Sequence, residues 1–325
     1  MSVERVHRMS YAVDAAAPAG ALYTLVADVT QWPLFLPDTV HVERLDFDGV
    51  ADRYVRWADA GGELRRSLVR RTLDAGGRRV LFHEERPDAP VTASGGSWCV
   101  EELAPGWSRL NLEREITLDG GRAAEAERAV ARAEESAWAA LGGLRVAAER
   151  WRRLDELTVS FEESVRIEGP AEPVYEFLYG VGSWPGRVAH VLEAEVSEDR
   201  PGVQRTRLVN LADDGSAYAT EGSRVCFPAA GRIVFKRTRP HPLLAAHAGE
   251  WCVEPDVSGV TVSCRHDVLL DERAVGRRPG PGAEPAAELA AARRYVREVV
   301  GRESRAVLEP ATRYAGDPVR TLRSV

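Results

Sequence analysis

The sequence is nearly devoid of lysine. Of its 43 basic residues only Lys236 is a lysine; all the others are arginines. Schiff-base chemistry, which needs a tuned lysine amine, is therefore not expected. With the many alanines and glycines, the bias reads as GC-rich codon usage. Cysteine is also scarce. Cys99, Cys226, Cys252 and Cys264 form no CxxC pair and no regular metal spacing. Each lies in an apolar, strand-like stretch, so all four are expected as reduced core residues of a cytoplasmic protein. No apolar run approaches the roughly 18 residues of a membrane helix, and no apolar core of a signal peptide follows residues 1–5. Dinucleotide-binding, P-loop, zincin and nucleophile-elbow motifs are missing. Seven histidines stand without ligand spacing, so no metal site is expected. A net charge of −7 with a pI near 5.7 disfavours nucleic acid as a partner.

What is present is length and repetition. The 325 residues are 44% hydrophobic and 29% charged, an ordinary globular composition with room for two domains. Arg86-Pro87 through Trp98-Cys99-Val100-Glu101 recurs as Arg239-Pro240 through Trp251-Cys252-Val253-Glu254, at an offset of 153. Upstream, Pro18, Tyr23, Val29, Trp32 and Pro33 match Pro170, Tyr175, Val181, Trp184 and Pro185 at an offset of 152. Downstream, residues 110–118 match 262–270 at the same offset. A near-constant offset across separate segments is the signature of duplication. Two copies of one domain are expected, at 1–152 and 153–325.

Each copy has the same order of elements. A strand opens it (residues 10–15 and 160–167). A Pro-initiated short helix follows (18–28 and 170–179), then the Trp-Pro pair in a second short helix or turn. Alternating strands come next, near 53–58, 64–73, 78–86, 93–102 and 108–118, and near 204–211, 218–227, 231–239, 246–254 and 259–271. A long helix closes each copy, at 122–152 and 284–308. In the first of these, Val130, Trp138, Leu141, Leu144 and Val146 are the apolar positions, and Gly142-Gly143 marks a kink. Residues 273–285 read as a loop inserted before the last helix, and 314–325 as a loose tail. The class is α+β: two tandem helix-grip domains, each a curved antiparallel sheet of about six strands round a long C-terminal helix, with an interior pocket.

Alternation assigns the faces. On the second long strand the better inner face carries Ser67, Val69, Arg71 and Leu73; its counterpart carries Tyr218, Thr220, Arg224 and Cys226. The last strand points Leu110, Leu112, Arg114, Ile116 and Leu118 inward, and in the second copy Val260, Val262, Cys264, His266, Val268 and Leu270. One polar residue thus interrupts an apolar face at the same place in each copy, Arg114 and His266. Ser94, Gly96, Trp98 and Val100 share a face, as do His247, Gly249, Trp251 and Val253. A Trp on such a face forms a flat wall for a planar ligand or simply fills core. His247, near its strand start, reads as a rim residue. An inward arginine implies either a buried carboxylate partner (Glu84, Glu101 or a helix glutamate) or a wet cavity.

The Trp32-Pro33 and Trp184-Pro185 pairs, the Val69-Arg70-Arg71-Thr72-Leu73-Asp74 strand, and Arg239-Pro240 through His247-Ala248-Gly249-Glu250-Trp251 resemble the aromatase/cyclases of type II polyketide synthases, within the helix-grip, START-like superfamily. The tandem copy resembles their didomain members. The resemblance covers nearly the whole chain. It implies a poly-β-keto chain tethered through phosphopantetheine to an acyl carrier protein, other synthase components as partners, and no metal or redox cofactor. It also implies regiospecific aldol cyclisation, dehydration and aromatisation of the first ring of a chain already reduced at one ketone. The family's pocket arginine falls on Arg71 and Arg224, its pocket tryptophans on Trp32, Trp98, Trp184 and Trp251, and the inward histidine of some single-domain relatives on His266. Arg114, and Ser94 where the second copy has His247, depart from the pattern.

The expected catalytic set is therefore Arg71, Arg224, His266 and Arg114. Trp32, Phe82, Ser94, Trp98, Trp184, Tyr218, His247 and Trp251 are expected to line the pockets. An inward arginine would hold the enolate oxygen, an oxyanion-hole device worth roughly 3 kcal/mol. His266 or water would move the proton. Arginines 65, 66 and 187 are candidates to steer an acidic carrier protein. Two other readings stay open: a non-catalytic carrier of a lipid or phenolic ligand, and one catalytic copy beside one structural copy.

Overall fold

The computed structural model describes residues 4–60, 62–120, 123–212, 214–275 and 285–315. The predicted tail beyond residue 315 and most of the predicted 273–285 loop lie outside the described residues. The chain divides into two compact units, Met1–Leu154 and Asp155–Val325.

The first unit runs β1 (Glu4–Ala15), α1 (Ala19–Ala27), α2 (Trp32–Phe35), β2 (Thr39–Phe47), β3 (Ala51–Ala60), β4 (Glu63–Asp74), β5 (Arg79–Glu84), β6 (Val91–Ala104), β7 (Trp107–Asp119) and α3 (Ala123–Glu149). After the one-turn α4 (Leu154–Leu157), the second unit repeats the order: β8 (Thr158–Ile167), α5 (Ala171–Tyr179), β9 (Val191–Arg200), β10 (Val203–Leu211), β11 (Ala217–Phe227), β12 (Arg232–Arg239), β13 (Leu244–Asp256), β14 (Gly259–Leu270), the one-turn α6 (Glu272–Val275) and α7 (Pro285–Ala315). Each unit has one seven-stranded antiparallel sheet, ordered β1-β7-β6-β5-β4-β3-β2 and β8-β14-β13-β12-β11-β10-β9.

Seven strands stand where about six were expected. The additional strands are β2 and β9, which form one edge of each sheet. Their alternation is blurred because bulges interrupt their pairing and their outer ends are exposed, so no clean apolar face marks them. The inner strands read well. On β14 the whole Val260-to-Leu270 alternating set is buried, as period-two patterning requires.

The long helices close over the sheets. α3 packs on β1, β7 and α1, and α7 on β8, α5 and β14. The buried face of α3 is mainly alanine, Ala129, Ala133, Ala137, Ala140 and Ala147, with Leu141 and Leu144. Trp138 and Val146 point away from it; Trp138 is 51% exposed and meets Tyr11 edge-on. The helix runs unbroken through Gly142-Gly143. Gly143 serves close approach instead, because a Cβ there would collide with the Phe35 carbonyl of α2. Small helix residues bring α3 near the sheet while leaving a gap over its centre.

The Trp-Pro pair fixes the entry to that gap. The Trp32 indole donates to the Leu25 carbonyl at 3.0 Å, and the Trp184 indole to the Phe177 carbonyl at 3.1 Å. Gly96 and Gly249, at matching places on β6 and β13, admit an aromatic ring. A Cβ would strike the Glu113 carbonyl and the Phe82 ring in one case, and the Arg265 carbonyl and the Phe235 ring in the other. Gly96→Ala and Gly249→Ala are each expected to cost about 1–3 kcal/mol by overpacking, read as a lowered unfolding midpoint in urea.

Candidate active site

Among the described residues, each unit has a cavity between its sheet and its long helix. The first has about 650 Å³ of empty space, part of it open to solvent, and the second about 590 Å³. Both volumes suit a small organic ligand. Trp32, Phe82, Ser94, Trp98 and Arg114 line the first; Trp184, Tyr218, His247, Trp251 and His266 line the second. Those ten expected residues are brought together as two sets.

Arg71 and Arg224 are not part of either lining set. The Arg71 side chain is 1% exposed and bidentate to Asp52, Nε at 2.9 Å and Nη2 at 2.5 Å. Its remaining donors go to the carbonyls of Val26 at 3.0 Å and Ala27 at 2.7 Å, the last residues of α1. Four of the five N–H donors of this guanidinium are thus committed to Asp52 and to the end of α1. Arg224 repeats the arrangement at the end of α5, donating to the carbonyls of Leu178 at 2.5 Å and Tyr179 at 3.3 Å, and to Gln204 Oε1 at 2.8 Å. It borders a smaller recess that shares Trp184 and Trp251 with the cavity. Both arginines bolt the sheet to the C-terminal end of a short helix, where unpaired carbonyls and the helix dipole favour a cation. The buried carboxylate partner is Asp52, on the neighbouring strand, and not Glu84, Glu101 or a helix glutamate.

The first cavity instead holds Arg114 and Arg56, with Glu84 between their fields. Arg56 pairs with Asp38 at 2.7 Å and donates from Nε to Thr39 Oγ1 at 2.9 Å. Ser136 of α3 donates to the same Asp38 at 2.9 Å. Arg114 donates to the Ala133 carbonyl at 3.3 Å, but its Nε is buried without a hydrogen-bond partner. Burial, then the neighbouring Arg56, draws the Arg114 pKa down, and Glu84 opposes this. Burial raises the Glu84 pKa against the pull of Arg114. The cavity therefore presents a cation whose Nε hydrogen bond is unspent beside a carboxyl group biased toward its neutral form.

The second cavity holds histidines. His247 Nε2 meets His266 Nδ1 at 2.9 Å, and His266 Nε2 meets Ser304 Oγ at 2.6 Å. His247 is 7% exposed, so it is an interior residue where a rim position was expected; β13 carries it inward beside Phe235. Burial, then Arg237, lowers the His266 pKa to about 3. Burial, then His266, takes His247 well below the usual imidazole value. Tyr218 donates to Glu303 of α7, and burial and that carboxylate push the phenol up. Arg237 and His190 complete the polar wall. Among the described residues no three acidic, His or Cys side chains are grouped to hold a metal ion.

Asp38, Arg56, His190 and Arg237 escaped the sequence reading, and Glu84 was read there only as an ion-pair partner. Glu84 and Arg237 stand 153 apart, as do Ser94 and His247; Asp38 and His190 stand 152 apart, as do Arg56 and Leu208. Setting the repeat offset beside strand alternation would have exposed the swap of polar equipment. Ser136, Glu303 and Ser304 carried no such signal. On the helices the lining residues correspond at an offset of 167, Ser136 to Glu303 and Ala137 to Ser304, because the chain between β14 and α7 is longer.

Comparison with known proteins decides the family. A family model for polyketide cyclase/dehydrase and lipid transport matches residues 15–141. The granaticin polyketide synthase bifunctional cyclase/dehydratase of Streptomyces violaceoruber is 35% identical over 317 residues, covering 95% of this chain and 94% of that protein. The chain belongs to the polyketide cyclase/dehydratases. The actinorhodin polyketide synthase bifunctional cyclase/dehydratase of Streptomyces coelicolor is 33% identical over 97% of this chain and 99% of that one. Among solved structures, the di-domain aromatase/cyclase BexL of the BE-7585A pathway matches with a TM-score of 0.80 at 34% identity, covering 96% of this chain and 99% of that one. The di-domain StfQ of the steffimycin pathway matches at 0.77 and 29%, covering 95% and 98%. This cyclase/dehydratase is thus a didomain helix-grip enzyme.

Proposed function

We propose that the enzyme binds a poly-β-keto chain, reduced at one ketone and tethered by phosphopantetheine to an acyl carrier protein, and that it cyclises, dehydrates and aromatises the first ring. It acts beside the other components of a type II polyketide synthase in the cytoplasm. The reading is carried by one observation: each aromatic-walled cavity contains a buried guanidinium next to a group that can exchange a proton. In the first these are Arg114 and Glu84; in the second they are Arg237 and the His247–His266 pair. A diketone carbon loses a proton easily only if the enolate oxygen is held, and a fixed cation in a low-dielectric pocket does that. The aromatic walls restrict a flexible chain to one fold, which selects the carbon pair that meets.

A pure lipid carrier has no use for buried charge that costs several kcal/mol to desolvate. A merely structural second copy has no use for a cavity of neutral histidines. For carrier docking, Arg66 lies over Trp57, and Arg65 pairs with Glu63 at 2.7 Å at the mouth of the first cavity. Both are offered as steering charges.

Reconstitution with a minimal synthase and ketoreductase tests the reading by product analysis. The enzyme should divert unaromatised shunt products to a single aromatic ring pattern. Arg114→Ala and His247→Phe should each lower that flux by about 10²-fold or more. An unchanged product profile with and without the protein would sink the proposal.

A further inference from the structure

The second cavity contains a hydrogen-bonded chain with one fixed end. β13 and β14 are in register with Gly249 opposite His266, which places His247 diagonally across on the same face. The rings meet at 2.9 Å, and His266 reaches Ser304 of α7 at 2.6 Å. Ser304 Oγ in turn donates to the Val300 carbonyl one turn back, at 3.1 Å. A carbonyl only accepts, a hydroxyl has one hydrogen, and a neutral imidazole has one donor and one acceptor.

We infer that Ser304 is a positioning residue that sets the tautomers of both histidines and makes Nδ1 of His247 the proton acceptor of the second cavity. With its hydrogen on Val300, Ser304 must accept from His266 Nε2–H. His266 Nδ1 is then an acceptor and takes the Nε2–H of His247. The bare nitrogen left at the end of the chain is His247 Nδ1, which has no partner among the described residues. The inference rests on the cyclase reading of the cavity and changes the assignment of the base from His266 to His247. It extends the logic by which a third group orients the base of a nucleophile–base pair.

The surroundings agree. His266 is stacked on Phe161 of β8 at 5.0 Å and met edge-on by Phe235 of β12, which locks its plane. Arg237 of β12, Glu303 of α7, Tyr218 of β11, His190 and His241 face the same space, and the Cys264 thiol lies beside Ser304. Burial biases both imidazoles toward the neutral form, aided at His247 by His266 and then Arg237 and at His266 by Arg237, as a tautomer chain requires. The first copy has no such chain, since Ser94, Arg114 and Ala137 occupy the three corresponding places.

In the reaction, a C–H bond between two carbonyls breaks and its proton goes to His247 Nδ1. The electron pair moves onto the carbonyl oxygen, which Arg237 holds as the enolate. The resulting imidazolium keeps its Nε2–H on His266. The enolate carbon bonds to a second ketone carbon, whose oxygen takes the proton back from Nδ1 and becomes a hydroxyl. In the elimination step a second α C–H bond breaks, its proton passes through Nδ1 to the departing hydroxyl, and water leaves as the C=C bond forms.

The test is the tautomer spectrum of the full chain labelled with 15N-histidine at pH 7. Both His247 and His266 should show the Nε2–H form. Ser304→Ala should move His266 toward Nδ1–H and lower kcat by about 10²-fold, at the lower end of what general-base catalysis supplies, with KM unchanged. Ser304→Thr should restore both. His247 in the Nδ1–H form in the wild-type chain would overturn the proposal, and that spectrum needs no variant to fold. So would a Ser304→Ala chain with unaltered ring signals and kcat. The expected tautomers in a chain that leaves a poly-β-keto substrate untouched would sustain the positioning role and sink the cyclase reading.

Discussion

Replacing Arg71 with alanine is expected to destabilise the first unit by about 3–5 kcal/mol, the usual cost of stranding one partner of a buried ion pair. Asp52, 1% exposed, would keep only its longer ion pair to Arg44 at 3.8 Å, and the Val26 and Ala27 carbonyls would lose their donor. Against a typical total of 5–15 kcal/mol, that loss removes much of the unit's stability. Urea unfolding with product analysis on the surviving folded fraction separates this from catalysis: the folded fraction should still make the same ring pattern. Arg71→Met with Asp52→Leu should recover most of the loss, because removing both partners strands nothing. Arg224→Met should cost less, about 1–3 kcal/mol, since its side-chain partner Gln204 is neutral. A folded, equally stable Arg71→Ala protein with altered products would return Arg71 to the chemistry.

That contrast marks where sequence reading ends. Duplication, helix-grip layout and the inward faces of β4, β7, β11 and β14 were legible, because period-two patterning and a constant offset are one-dimensional signals. Arg71 was rightly placed on the inner face. Whether an inner position opens on a cavity or lies under a helix depends on where α1 ends over the sheet, which no strand pattern records. Asp52 lies on β3 directly opposite Arg71, so a pairing register, once known, would have revealed the ion pair. Ser304 and Glu303 were out of reach for another reason. Their role depends on the rotation of α7, and the longer connection before it breaks the repeat numbering on which every other equivalence rests. Two of the four thiols, Cys99 and Cys252, are only partly buried, because they alternate to the outer face of strands whose inner face was read correctly.

Acidification should unfold the second unit first. In an unfolded chain His266 takes up a proton near pH 6.5, whereas in the folded unit it does so only near 3. Between those values the unfolded state binds one more proton, so stability falls as pH falls. The slope is about 1.4 kcal/mol per pH unit for each such group. Over the whole window His266 alone accounts for about 5 kcal/mol, present in full above pH 6.5 and lost by pH 3. His190, lowered to about 4 by burial and then by Arg237, and His247 act in the same direction over the upper part of that window. In the first unit Glu84 is raised, which has the opposite sign: its burial costs stability at neutral pH, and the cost is relieved as the carboxyl protonates. The two melting transitions of the full chain should therefore separate between pH 7 and pH 5, the second unit moving down. His266→Gln should shift the second transition by a constant but flatten its pH slope by about one proton. If that slope is unaltered, His266 is already charged in the folded unit, and neither the buried neutral pair nor the tautomer chain built on it survives.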